Sequence, residues 1–129
     1  MQTTGGSILL VDDDEAVLDV FTRILQKEGF PVTAVKSIEA AKKSVKESEF
    51  AVVVYDLSVG GMRNALDLAS VLQEEYPSMK VLMITGMVSP EVASEVTRRG
   101  LEILEKPLGA KALVRVISCH VRKRVHSAA

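Results

Sequence analysis

Residues 51–56 have the sequence Ala-Val-Val-Val-Tyr-Asp, a short run of apolar, mostly β-branched residues that ends on a carboxylate. Three other short runs also end on reactive residues: 8–11 before Asp12-Asp13, 81–84 before Thr85, and 101–105 before Lys106-Pro107. Such runs, bounded by turn residues and separated by helical patterns, are typical of buried parallel strands. Because strand ends in an open parallel sheet share one crevice, we expect three carboxylates, a hydroxyl and an ammonium to converge.

The segments between these runs have helical periodicity. Apolar residues recur at spacings of three and four after the first run, and Ser89-Pro90 is a strong helix start. A further short strand, 32–35, follows Pro31. Five strands alternating with five helices predict an α/β fold, a doubly wound parallel sheet with helices on both faces.

Length and composition argue against nucleic-acid-binding, membrane-spanning and secreted proteins. The 129 residues predict one domain, and a net charge of −1 favours neither nucleic-acid nor membrane binding. No apolar run approaches the roughly 20 residues of a membrane span, and the N-terminus does not resemble a signal peptide. The single cysteine, Cys119, cannot form an internal disulfide, so we expect a cytoplasmic location.

The strand-end residues, taken in order, resemble the receiver domain of bacterial response regulators, and the match covers about residues 7–124. The resemblance implies a flavodoxin-like fold with strand order 2-1-3-4-5, a flexible lead at 1–6 and a tail at 125–129. It also implies a role for each strand-end residue: Asp12 and Asp13 as the acidic pair, Asp56 as the phosphoacceptor, Thr85 as the switch hydroxyl, and Lys106 as the invariant lysine before a cis bond to Pro107.

The acidic residues favour a divalent cation. Carboxylates about 5 Å apart repel by about 3 kcal/mol per pair at an effective dielectric constant near 20, and Lys106 faces three of them. Hard oxygen ligands suit Mg²⁺, which keeps several waters. By the resemblance, Asp13 and Asp56 bind Mg²⁺ directly, Asp12 acts largely through water, and the backbone carbonyl of Ser58 is a further ligand.

Asp56 is then expected to attack a phosphoryl group in line and form an acyl phosphate. Mg²⁺ and Lys106 would neutralise charge on the equatorial oxygens, and Lys106 would also keep Asp56 ionised. Thr85 would donate its hydroxyl to a phosphoryl oxygen. We therefore expect a phosphoacceptor that catalyses its own modification and is not an enzyme acting on an external substrate.

Four positions depart from the family pattern. Gly60 replaces a usual proline, so we expect a looser loop. Ile103 stands where the family usually has a Tyr or Phe whose ring rotates inward when the threonine moves, and isoleucine has no ring to rotate. Ser58 and Met87 provide no acid or amide to align an attacking water, so we expect slow self-dephosphorylation.

The expected partner is a sensor histidine kinase or a histidine phosphotransfer protein, and a homodimer would form through the fourth helix, fifth strand and fifth helix. Two alternatives stay open. Asp12-x-Asp14 resembles the nucleophile motif of a haloacid-dehalogenase-like phosphatase, although no Asp or Glu follows Lys106 and Asp56 would then have no role. The missing aromatic also allows an inactive, receiver-like interaction module.

Overall fold

The computed structural model describes residues 6–106 and 109–128. Ten elements alternate along the chain: β1 (Ile8–Val11), α1 (Glu15–Lys27), β2 (Val32–Val35), α2 (Ile38–Glu47), β3 (Val52–Asp56), α3 (Met62–Glu75), β4 (Lys80–Thr85), α4 (Pro90–Arg99), β5 (Glu102–Glu105) and α5 (Ala110–Ala128).

The strands form one parallel sheet in the order β2-β1-β3-β4-β5. The central strands β1 and β3 are buried along their whole length, as apolar runs covered on both faces should be. Asp56 at the end of β3 is in register with Ile84 on β4, and Thr85 with Glu105 on β5. The carboxyl ends of β1, β3, β4 and β5, which carry the predicted site residues, therefore lie along one edge of the sheet.

Two apolar layers cover the sheet. One face packs against α2, α3 and α4 through residues such as Val45, Leu66 and Val96. The other face packs against α1 and α5 through residues such as Leu25 and Ile117. Alternation of side chains along each strand supplies both layers, since neighbouring residues point to opposite faces.

Local signals set the helix ends. Ser37 and Ser89 cap α2 and α4, each accepting a backbone N–H in the first turn at 3.1 Å. Gly100, at φ 68°, ends α4 in the left-handed conformation that glycine adopts without strain. These ends fix where the loops at the carboxyl edge of the sheet begin.

The predicted fold class and strand order are confirmed. Of the predicted lead, Gly6 is buried, and residues 1–5 lie outside the described residues. The backbone of α5 runs to Ala128, through most of the predicted tail. The expected cis bond involves Pro107, which also lies outside the described residues. No helix in the described part of the chain has the length and hydropathy needed to cross a membrane.

Candidate functional site

The shortest side-chain hydrogen bond described at the carboxyl edge of the sheet joins Asp56 to Lys106. The Lys106 Nζ donates to Asp56 Oδ2 at 2.6 Å, although 50 residues separate the two in sequence. The side chain of Asp56 is only 6% exposed and that of Lys106 is 38% exposed. The backbone N–H of Lys106 donates to the Thr85 carbonyl at 2.7 Å, which ties the start of the following loop to β4.

Ser58 holds the other oxygen of Asp56. Its backbone N–H and its hydroxyl both donate to Asp56 Oδ1, at 2.8 Å and 2.7 Å. The Ser58 carbonyl, expected to bind a metal, accepts the Gly61 N–H at 3.2 Å and keeps a second lone pair. Asp56 is therefore a buried carboxylate with three donors, oriented by both of its oxygens.

These contacts keep Asp56 ionised. Burial raises the pKa of Asp56, but the hydrogen bonds from Lys106 and Ser58 outweigh it and hold the pKa below its usual value. The hydrogen bond to Asp56 likewise raises the pKa of Lys106. An ionised carboxylate is the form that can act as a nucleophile.

Asp12 lies beside Asp56 and is nearly as buried, at 8% exposed. Its Oδ1 accepts the backbone N–H of Asp14 at 2.9 Å. Burial, together with the charge of Asp56, raises the pKa of Asp12 despite that hydrogen bond and the nearby Lys106. Asp56 is thus close enough to disfavour the ionisation of Asp12.

Asp13 is the second acidic residue after β1. It is exposed, and its side chain makes no hydrogen bond or ion pair within the described residues. It lines an open cavity of about 590 Å³ together with Val59 and Gly60. The interaction of Asp12 with Asp56 is therefore established, and the role of Asp13 in the acidic pair stays a prediction.

Thr85 contributes its backbone to the site but not its hydroxyl. The Thr85 hydroxyl donates to the Met87 carbonyl at 3.1 Å and accepts the Met87 N–H at 3.3 Å. Met87 itself is 71% exposed. The expected hydroxyl donor is therefore engaged within the loop that leads to α4.

The backbone of the loop after β3 favours glycine at position 60. Gly60 has φ 72°, in the left-handed region that glycine adopts without strain, and a Cβ there would also press on the end of the Ile38 side chain. Its carbonyl accepts the Asn64 side-chain N–H at 2.8 Å. Proline fixes φ near −65°, so the usual family proline is incompatible with this backbone. The increased looseness expected of this loop stays a prediction.

The second departure from the family pattern, Ile103, lies on β5 in register with Met83. It is partly buried and packs against the apolar layer formed with α2, α3 and α4. Isoleucine fills this space, but it has no ring that could rotate between two positions.

The donor set fits Mg²⁺ by its chemistry. Asp12, Asp13, Asp56 and the Ser58 carbonyl offer only oxygen ligands, and Mg²⁺ needs one or two carboxylates and keeps its other positions for water or phosphate. Among the residues that the structure describes, no three acidic, histidine or cysteine side chains lie together as a ready metal cluster. A cation here would rely on two carboxylates and a carbonyl.

A family model described as the response regulator receiver domain matches residues 8–118. The chain belongs to this family. Receiver domains are signalling domains of two-component systems that work with histidine kinases, and they typically bind Mg²⁺ at their phosphorylation site.

Relatives and solved structures agree with this assignment. The response regulator protein FleR of Pseudomonas aeruginosa is 32% identical over 117 residues, which cover 90% of this chain and 24% of FleR. The chain therefore spans about a quarter of the length of FleR. A CheY-like receiver domain protein from Methanospirillum hungatei has a TM-score of 0.86 at 25% identity, covering 95% of this chain and 98% of that one. The beryllofluoride-activated NtrC4 receiver domain dimer has a TM-score of 0.80 at 28% identity, covering 92% and 98%.

Two contributions to this receiver site escaped sequence reasoning. The Ser58 hydroxyl was not expected to bond Asp56, and the Asp14 backbone was not expected to bond Asp12. Both are hydrogen bonds from a residue two positions later to an aspartate, a local turn that short polar side chains favour. The Asp-x-Ser and Asp-x-Asp spacings were the available signals.

Proposed function

We propose that this receiver domain accepts a phosphoryl group on Asp56 from the phosphohistidine of a sensor histidine kinase or a histidine phosphotransfer protein, with Mg²⁺ required. One observation carries the proposal: Asp56 is a buried carboxylate whose Oδ2 lies 2.6 Å from the Lys106 ammonium. A buried charge needs such a partner, and the pair sits at the edge of the sheet where the family is phosphorylated.

The transfer step balances without a further reactant. A carboxylate oxygen of Asp56 forms a bond to phosphorus while the P–N bond to the donor imidazole breaks. The electron pair of that bond stays on the imidazole nitrogen, and the product is an acyl phosphate. Lys106, which pairs with Asp56 at 2.6 Å, would offset the negative charge on the phosphoryl oxygens, and such reactions gain most of their rate from that effect.

Mg²⁺ would be held by Asp13, Asp56 and the Ser58 carbonyl, with Asp12 contributing through water. When bound, the ion adds positive charge next to the phosphoryl oxygens. Asp13 is free of other contacts in the described residues and is therefore available as a ligand. The repulsion between Asp12 and Asp56 favours a cation at the same place.

The switch would begin at Thr85. For its hydroxyl to reach a phosphoryl oxygen, it has to leave Met87, and the loop before α4 would move with it. The far end of α4 is anchored, because Arg99 binds Glu95 and reaches across to Asp67 and Ser70 on α3. We expect the surface formed by α4, β5 and α5 to change on phosphorylation, although Ile103 offers no aromatic ring to rotate. A homodimer would form through this surface; the NtrC4 receiver is a dimer in its activated form.

The family match supports a signalling role without turnover of an external substrate, and a cytoplasmic location fits such a domain. The phosphatase alternative is not favoured, because the family match is to receiver domains and the ionised, Lys-bound carboxylate is Asp56 and not Asp12. An inactive interaction module would not require the Asp56–Lys106 pair.

Incubation with a small phosphodonor and Mg²⁺ tests the proposal. We expect one phosphoryl group per chain on Asp56, and no labelling of Asp56→Asn, with both proteins folded by circular dichroism. Asp12→Asn tests the phosphatase alternative, which predicts no labelling of this variant. A receiver domain with this substitution should still be labelled on Asp56 once MgCl₂ is in excess, because Asp12 would contribute to the metal site only through water. Undiminished labelling of Asp56→Asn would overturn the assignment.

The same labelled protein gives the lifetime of the acyl phosphate. Met87 lies two residues after Thr85, and its thioether side chain cannot orient a water molecule as a carboxylate could. We therefore expect slow loss of the label after the donor is removed and faster loss in Met87→Glu. Equal lifetimes would contradict the predicted role of this position.

A further inference from the structure

Asp56 offers four lone-pair positions on its two oxygens, and three are filled by hydrogen bonds. Lys106 fills one on Oδ2, and the two donors of Ser58 fill both positions on Oδ1. A cation that binds Asp56 in this state must use the remaining position on Oδ2 or displace a donor from Oδ1.

The position on Oδ2 is unfavourable for a cation. The Lys106 ammonium already lies 2.6 Å from that oxygen, so a divalent ion bound there would face a neighbouring positive charge. Oδ1 has no cation next to it. The metal-binding oxygen is therefore the one that Ser58 occupies.

The two donors of Ser58 differ in how easily they leave. The Ser58 N–H belongs to the turn in which Val59 N–H also bonds the Asp56 carbonyl, so moving it requires a change of backbone. The hydroxyl needs only a rotation about one side-chain bond. Ser58 is exposed, so its released hydroxyl can hydrogen-bond to water at little cost.

We propose that the Ser58 hydroxyl is an internal competitor of Mg²⁺ for Asp56 Oδ1 and so sets the Mg²⁺ concentration that the site requires. In the metal-free domain it stabilises the Asp56 carboxylate, and it must turn away when the ion binds. Ser58 is thus a positioning residue with two opposed roles, since its carbonyl would hold the ion that its hydroxyl excludes. This inference rests on the proposed function.

Calorimetric titration of the whole chain with MgCl₂ near neutral pH tests it. In Ser58→Ala we expect the Kd for Mg²⁺ to fall about tenfold, the lower end of what a hydrogen bond to a charged group contributes. Ser58→Thr keeps the hydroxyl and should restore an affinity close to the original. Ser78→Ala, an exposed serine in the turn before β4, is the matched control and should leave the Kd unchanged.

The outcomes separate the inference from the proposed function. Damage to the fold would weaken Mg²⁺ binding, so tighter binding in Ser58→Ala and its reversal in Ser58→Thr support competition. Unchanged or weaker binding in Ser58→Ala, in a protein that is still labelled on Asp56, would overturn this inference alone. A parent protein that neither binds Mg²⁺ nor accepts phosphate would overturn both.

Discussion

The carboxyl ends of β1 and β3 are neighbours in the sheet, and a buried aspartate stands at each: Asp12 is 8% exposed and Asp56 is 5% exposed. Their pKa values nevertheless move in opposite directions, since that of Asp12 is raised and that of Asp56 is lowered. Burial is nearly equal at the two positions. It therefore cannot account for the difference.

The difference comes from the donors that each strand end provides. Asp56 has three, including an ammonium, whereas Asp12 accepts one backbone N–H from Asp14 and is repelled by Asp56. Buried charge is tolerated where it is paired, so the end of β3 can keep a carboxylate ionised and the end of β1 cannot do so as easily. That asymmetry supports the proposal that Asp56, and not Asp12, is the nucleophile.

Replacing Lys106 should change this comparison most. In Lys106→Met, Asp56 keeps only its Ser58 donors, its pKa should rise, and the domain should lose about 1–3 kcal/mol of stability at neutral pH. This is below the range for a fully buried pair because Lys106 is 38% exposed. Urea denaturation measures the loss. Lys36→Met, which breaks the exposed pair with Glu15, is the matched control and should cost well under 1 kcal/mol.

The pH dependence of this loss has a defined sign. A carboxyl group whose pKa is lowered on folding stabilises the fold above its ordinary pKa of 3.8, and the contribution disappears as pH falls through the folded-state value. The stability gap between the parent and Lys106→Met should therefore narrow in acid. A gap that stays constant with pH would mean that the lysine acts through packing alone.

Removing the charge of Asp12 should have a smaller effect of the opposite sign. Asp12→Asn keeps an acceptor for the Asp14 N–H and removes both a buried charge and its repulsion with Asp56, so we expect a gain of about 1 kcal/mol at neutral pH. Because the pKa of Asp12 is raised in the fold, the ionised Asp12 carboxylate destabilises the fold. This effect appears as pH rises and is absent well below pH 3.8, where the carboxyl group is protonated. Urea denaturation across this range should show the gain vanish in acid; a loss of stability at neutral pH would contradict this account of the β1 end.

The sequence predicted contacts between residues far apart in the chain better than contacts within a single turn. Asp56 and Lys106 meet because β3 and β5 end at the same edge of a parallel sheet, and strand patterns alone predict that. The role of the Ser58 hydroxyl depends on the turn after β3, which hydrophobic periodicity does not determine. Asp13 likewise lies beyond the end of β1, where the strand pattern no longer determines the backbone.

The smallest expected effect concerns Asp13, the acidic neighbour that the β1 end leaves exposed. Without Mg²⁺, Asp13→Asn should change stability by less than about 0.5 kcal/mol, because the side chain is exposed and makes no polar contact within the described residues. With Mg²⁺ at 100 times its Kd, the parent should gain about 2.7 kcal/mol, and the variant should gain clearly less if Asp13 is a ligand. Paired urea denaturations with and without MgCl₂ measure both quantities. Equal stabilisation of parent and variant by Mg²⁺ would remove Asp13 from the metal site. A change in stability without Mg²⁺ as large as that of Asp12→Asn would show that the two neighbouring acids share one environment.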